Sequence, residues 1–169
     1  MNVKAVVVGA GGISNAWFPP LIEEKVHIPA VVDLNIETAQ AQIKKYGLKA
    51  AASTDLEATL KEHKPDFVID LTIPEAHHDV TITALQAGYP VLGEKPMAAT
   101  MDEAREMVRV SNETGKLYAV SQSRRWDKNH DILRRTIESG VIGKVTAITC
   151  DFFIGAHFGG FRDEMPSPL

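Results

Sequence analysis

A short apolar run that breaks into a glycine-rich turn constrains this chain more than anything else in it. Val6-Val7-Val8 reads as a β-strand, and Gly9-Ala10-Gly11-Gly12-Ile13-Ser14 follows at once. A helical pattern comes next, and a second apolar run, 28–33, closes on Asp33. Strand, tight turn, helix and strand in that order are the layout of a dinucleotide-binding βαβ unit. Gly9 permits the sharp exit from the strand. Gly11 has no Cβ, so the backbone can lie against a pyrophosphate. Gly12 and Ile13 lead into the helix, whose free N–H groups and positive dipole end favour an anion. Ser14 takes the place of the third glycine, where a small residue lets helix and strand pack closely. Asp33 falls where a carboxylate can accept both ribose hydroxyls. Its charge repels a 2′-phosphate, and Leu34 and Asn35 bring no cation to hold one, so NAD is favoured over NADP. The turn alone leaves open a purely structural role, or an adenosyl ligand of the methyltransferase kind.

Composition excludes several function classes. The 169 residues are 44% hydrophobic and 24% charged, a globular balance with length enough for a core. The net charge of −4 gives no electrostatic reason to bind nucleic acid or an anionic membrane. Cys150 is the single cysteine, so no intrachain disulfide can form. The apolar runs are strand-sized and well short of a membrane span, and no signal-peptide pattern precedes the first strand. These features read as a cytoplasmic protein.

Apolar β runs alternate with helical patterns: 3–8, 28–33, a weak run at 49–52, 67–71, 90–93, 117–121 and 144–153. The early runs are apolar on both faces. That suits an α/β Rossmann fold, a doubly wound, mostly parallel sheet with helices on each side. Helices are predicted over 36–46, closed by Gly47, and over 76–87, closed by Gly88. A third starts at a capping box, Thr100 with Glu103, and stops at Gly115. Ala104, Met107, Val108 and Ser111 form its core stripe. Residues 1–122 thus read as a nucleotide-binding domain, 123–143 as a connecting loop and helix, and 144–169 as the first strand and loop of a truncated second α/β domain. An exposed strand over 144–153 would be an adhesive edge, able to pair with another copy.

Val91-Leu92-Gly93-Glu94-Lys95-Pro96 ends a predicted strand at the sheet edge where open parallel sheets bind ligands. A lysine there can face a nicotinamide. By itself it reads equally as a solvated surface lysine with Glu94 as a loose partner.

Four segments, in order, resemble the Gfo/Idh/MocA oxidoreductases: the turn at 9–14, Thr72-Ile73-Pro74-Glu75-Ala76-His77, Glu94-Lys95-Pro96, and Ser123-Arg124-Arg125-Trp126-Asp127. The resemblance covers essentially the whole chain. It implies a dehydrogenase moving hydride between NAD and a secondary alcohol carbon of a sugar or polyol. Lys95 then corresponds to the catalytic lysine that hydrogen-bonds the reacting oxygen, stabilises the developing alkoxide and passes its proton on. Partial burial would depress its pKa for that task. The implied cofactor set is Gly9, Gly11, Gly12, Ile13, Ser14, Asp33, Leu34, Thr72, Ile73, Pro74, His77, Glu94 and Lys95. Within it, Glu94 holds the strand end or touches the nicotinamide side, and His77 is a contact at the helix start. Arg125 flanks the substrate cleft, and Trp126 either lines it or packs in a core. Arg134 and Arg135 read as a solvated helix face. His77 and His78 diverge as neighbours, and no further ligand spacing completes a metal site, so no metal is expected.

The resemblance places the family's other acid–base residues, an Asp and a His, beyond residue 169. It implies little or no turnover by this chain alone, and a homo-oligomer in the full-length form. Two alternatives use the same residues: a non-catalytic NAD-binding sensor or regulatory protein, and an NAD-dependent glycoside hydrolase of the same family.

Overall fold

The structure, a computed structural model, describes residues 3–151. The chain divides into two compact units, 1–123 and 124–169.

The first unit is a six-stranded parallel sheet. Its strands are β1 (Ala5–Val8), β2 (Ala30–Val32), β3 (Ala51–Ser53), β4 (Phe67–Asp70), β5 (Val91–Gly93) and β6 (Tyr118–Val120), in the order β3-β2-β1-β4-β5-β6. The sequence shows why both faces are covered. Along β1, Val6 and Val8 join one buried cluster while Ala5 and Val7 join the other; on β2, Ala30 and Val32 alternate with Val31 in the same way. This is the period of two of a strand with no solvent face. Helices α1 (Ser14–Glu23) and α2 (Ile36–Tyr46) seal one side with Phe18 and Ala39. Helices α3 (Leu56–His63), α4 (Pro74–Gln86) and α5 (Met101–Thr114) seal the other with Leu60, Leu85 and Val110. The doubly wound α/β fold is the one the sequence pattern implies.

Helix limits follow local chemistry. Asn35 caps α2 by accepting the Glu37 N–H at 2.9 Å, and Gly47 ends it in the left-handed conformation at φ 61°. Thr100 and Glu103 form the expected capping box of α5, which Gly115 closes. Helix α4 starts two residues earlier than its pattern, at Pro74, where the first helical position needs no N–H. Helix α3 has no counterpart among the expected helices; Asp55 caps it on the Ala58 N–H at 2.9 Å. The α5 stripe runs through Met107 and Val110. Val108, expected in that stripe, is 49% exposed, because one residue's step of about 100° turns it out of the seam.

The second unit holds α6 (Lys128–Glu138), preceded by a 3-10 turn over Ser123–Trp126. Asp127 caps α6 on the Asn129 N–H at 2.8 Å. The helix buries none of its residues. Arg134 and Arg135 are exposed and pair with Asp131 and Glu138 on their own helix. The Arg134 hydrogen bond, with Arg135 adding, holds the Asp131 carboxyl below its ordinary range.

The strand expected over 144–153 is not formed in its described part, since 145–151 carry neither strand nor helix. A strand exists only as a member of a ladder, and the described residues of this unit supply no neighbour. The rest of that run and the Gly- and Pro-rich end lie outside the described residues. Among the described residues, no helix is long and apolar enough to cross a membrane.

Candidate functional site

Parallel register lines up the strand ends of the first unit. Ser53, Val32, Val8, Asp70, Gly93 and Val120 form one paired row across the sheet. One further ladder bond guides each chain past that row. Asp33 N–H reaches Ser53 O at 3.0 Å, Gly9 N–H reaches Val32 O at 2.8 Å, Leu71 N–H reaches Val8 O at 2.7 Å, and Glu94 N–H reaches Asp70 O at 2.9 Å. Asp33, Gly9, Leu71 and Glu94 therefore stand side by side at the carboxyl edge. Strand order reverses between β1 and β4, the place where open α/β sheets take ligands.

The three glycines of the turn have different reasons to be glycine. At Gly9, φ is +93° and a Cβ would meet the Leu71 carbonyl carbon and oxygen at 2.6 Å. The close approach of β1 to β4 demands this residue. At Gly11 and Gly12 a Cβ would meet nothing within 4 Å. Nothing in the protein's own packing asks for glycine there, which fits a turn kept bare for a ligand. The exposed residues Gly11, Gly12 and Ile13 stand just ahead of α1, and their N–H groups have no acceptor among the described residues; the first amides of the helix itself, on Ser14, Asn15 and Ala16, bond back to the Gly11, Gly12 and Ile13 carbonyls. Ser14 is fully buried and donates its hydroxyl to Gly11 O at 2.6 Å. It shapes the turn from beneath. Asn15 adds a second brace, giving its side-chain amide to Gly12 O at 2.9 Å.

Asp33 is tied into the same turn. One carboxylate oxygen accepts the Ala10 N–H at 2.8 Å and the other the Asn35 N–H at 2.9 Å. An ionised carboxylate has about four lone-pair sites, so acceptor capacity remains for hydroxyls. Leu34, next in the chain, is 95% exposed, and Ile73 of the β4–α4 loop is 59% exposed. Two bare apolar side chains on this edge are suited to the faces of a planar base.

Behind Thr72, Ile73 and Pro74 lies a buried polar pair that sequence reasoning missed. Asp70, 0% exposed, accepts the Thr72 N–H at 3.0 Å and the Thr72 hydroxyl at 2.6 Å on one oxygen, and the His77 Nδ1–H at 2.9 Å on the other. His77, expected as a contact at the helix start, is 1% exposed and turned into this network, so it supports the loop from within. His78 points the other way, to Asp79 at 2.8 Å and Glu106 at 3.1 Å. Among the described residues, no three His, Cys, Asp or Glu side chains are grouped to hold a metal ion.

Beyond β5, Glu94 accepts the Trp17 indole N–H at 2.8 Å and the Lys95 N–H at 3.0 Å. The Tyr118 hydroxyl holds the same loop by donating to Met97 O at 3.2 Å. Burial, reinforced by the Asp70 carboxylate, pushes the Tyr118 phenol up to about 12, so it keeps that proton at neutral pH. The Lys95 side chain is exposed and has no side-chain partner among the described residues. The partial burial expected of Lys95 is not provided within this unit. In the second unit, Arg125 is exposed and Trp126 is 81% exposed, so Trp126 is not core within that unit. Both line an open concavity of about 1100 Å³ that also takes in Lys128 and Asp131.

The sequence pattern of the Gfo/Idh/MocA proteins, described as an oxidoreductase family with an NAD-binding Rossmann fold, matches residues 3–122. The chain belongs to this family. Residues 3–122, within its first unit, therefore form that family's NAD-binding Rossmann fold.

The Gfo/Idh/MocA chain is 32% identical over 147 residues to an inositol 2-dehydrogenase of Salmonella typhimurium, covering 85% of this chain and 44% of the relative. It is 31% identical over 149 residues to a D-glucoside 3-dehydrogenase of Escherichia coli, covering 87% and 42%. Among solved structures, a myo-inositol dehydrogenase of Lactobacillus casei in complex with NAD(H) and myo-inositol aligns with a TM-score of 0.79 at 27% identity, over 85% of this chain and 43% of that one. The chain spans about half the length of the curated relatives it matches, 50% in one case and 46% in another.

Proposed function

We propose that this chain is the cofactor-binding portion of an NAD-dependent dehydrogenase acting on a secondary alcohol of a sugar or polyol. One observation carries the reading. The register of the sheet brings the bare Gly11–Ile13 amides, the Asp33 carboxylate and the Lys95 loop to a single edge at the topological switch point. In a dinucleotide site built from two half-folds, the β1–β2 half takes the adenosine side and the β4–β6 half the nicotinamide side. Asp33 then receives the adenosine ribose, Leu34 and Ile73 flank the base, the glycine turn faces the pyrophosphate, and Glu94 and Lys95 stand at the nicotinamide end.

Bound NAD supplies a hydride acceptor. Lys95 Nζ would hydrogen-bond the alcohol oxygen and steady the charge that grows on it as the C–H bond of the adjoining carbon breaks, and would help to pass the hydroxyl proton to the acid–base groups of the second domain. Arg125 flanks the substrate. Residues from 144 onward open a second domain that supplies the remaining acid–base groups and a homo-oligomer contact, which agrees with relatives about twice as long. The protein works in the cytoplasm.

Calorimetric titration with NADH and with NADPH tests the cofactor side. NADH should bind more tightly, and Asp33→Ala should narrow the gap. Tighter NADPH binding would mean that the carboxylate does not face the ribose. The full-length product, incubated with NAD+ and a panel of polyols and glycosides, tests the reaction. Accumulating NADH marks a dehydrogenase, whereas glycoside cleavage without NADH marks hydrolysis.

A further inference from the structure

We propose that Glu94 is a positioning residue for Lys95, clamping the Lys95 loop to helix α1 by accepting the Trp17 indole N–H on one carboxylate oxygen and the Lys95 backbone N–H on the other. The two bonds measure 2.8 and 3.0 Å. The proposal rests on the reading that Lys95 works beside a nucleotide whose pyrophosphate faces α1.

The anchors at each end are firm. Trp17 lies three residues after Ser14 on α1, and its ring packs against the buried cluster that contains Phe18. Glu94 is the first residue past β5, fixed by its own N–H on Asp70 O at 2.9 Å. The clamp thus joins the helix after β1 to the loop after β5, with β4 between those strands in the sheet. Lys95 needs such a device, because its exposed side chain has no partner of its own among the described residues. Its place is set through the backbone. Displacements of about 1 Å in a reacting group are enough to matter for rate, so a fixed span from the phosphate turn to Lys95 has functional value.

The chemistry also explains why the residue is glutamate. Both groups that face it are donors, and an ionised carboxylate offers an acceptor at each oxygen. Glutamine has nearly the same shape, but it would turn an NH2 group on one of the two donors. No cation pairs with Glu94 among the described residues, so its oxygens stay available to the clamp.

Amide exchange and 15N–1H spectra of this 169-residue chain, without and with NADH, test the proposal. Trp17→Phe keeps an aromatic ring in the core and removes only the indole donor; Glu94→Gln is the second variant, at a partly exposed site. In both, Lys95 amide exchange should accelerate by about tenfold, the effect of losing one charge-assisted hydrogen bond, while the β5 amides keep their protection. Glu94→Gln should also move the indole N–H signal of Trp17 and leave that of Trp126 in place. NADH affinity should hardly change in Trp17→Phe, but the NADH-induced shift of the Lys95 amide should be lost. A merely structural contact would not separate these two readouts.

Wild-type exchange and NADH response at Lys95 in both variants would overturn the proposal. A wild-type chain with a protected Lys95 amide but no NADH response anywhere would overturn the nucleotide reading and the positioning role with it, a pattern distinct from failure of the clamp.

Discussion

Replacing Gly9 and Gly11 by alanine, one at a time, separates what the fold requires of the turn from what a ligand requires. At Gly9 the new methyl would lie 2.6 Å from the Leu71 carbonyl carbon and oxygen and 2.8 Å from the Thr72 nitrogen, at φ +93°. These atoms belong to backbone, so none can rotate aside. A left-handed conformation costs an L-residue about 1–2 kcal/mol, and forcing a methyl group into packed surroundings adds about 1–3 kcal/mol. The expected loss is about 2–5 kcal/mol, a large part of the roughly 5–15 kcal/mol that holds a domain together. At Gly11 no atom lies within 4 Å of the added Cβ and φ is not positive. Gly11→Ala should leave the unfolding free energy unchanged or raise it by up to about 1 kcal/mol. In the proposed site its methyl group would intrude on the pyrophosphate, and NADH binding should weaken by about tenfold or more. Urea unfolding of the nucleotide-free chain and calorimetric NADH titration measure the two effects. Gly9→Ala as stable as wild type, or Gly11→Ala that loses stability while binding NADH normally, would refute this division of labour.

Other substitutions probe the remaining edge. Lys95→Met removes an exposed side chain with no side-chain partner among the described residues, so unfolding free energy should stay within about 0.5 kcal/mol, while turnover by the full-length protein should vanish; retained turnover counts against Lys95. Asp70→Ala strips a fully buried acceptor from three donors and should cost about 3–5 kcal/mol in urea unfolding; a loss under about 1 kcal/mol would show that the network is not holding the loop. The hydrogen bond to Asp79, opposed by partial burial and aided by Glu106, raises His78 above its ordinary value near 6.5. A group that binds its proton more tightly when folded stabilises fully below its unfolded value and loses that contribution as pH rises through the folded one. The Tm gap between wild type and His78→Gln should therefore be wider at about pH 5.5 than at about pH 8.5; a gap independent of pH would sink the assignment.

What could be read in the sequence was local or periodic. The β1 run, the Gly9 turn and Asp33 belong to one continuous strand–turn–helix–strand stretch, and ladder geometry does the rest. The α5 capping box was legible because both partners lie on one turn. Helix α3 escaped because its apolar content is slight and its evidence is a single cap, Asp55. Long-range partners left no trace. The residues joined by the Trp17–Glu94 bond are 77 positions apart, and nothing near either residue announces the other. His77 was noticed for its place after β4, but whether it faced outward or inward depended on Asp70, whose carboxylate lies on the strand's buried end. The run over 144–153 has strand-like residues, yet pattern cannot create the neighbour a ladder needs.

The Asp33 carboxylate is engaged before any ligand arrives. One of its oxygens satisfies the N–H of Ala10, a residue only 1% exposed, so the group proposed to discriminate between nucleotides is also a structural brace of the turn. This restricts how the specificity could drift over evolutionary time. Deleting the carboxylate would relieve repulsion of a 2′-phosphate but orphan a buried donor, at about 1–3 kcal/mol. The passable route toward NADP runs through neutral acceptors, such as serine or asparagine at position 33, with a cation arriving afterwards at 34 or 35. Cofactor preference here is a trait that selection can change only in a particular order.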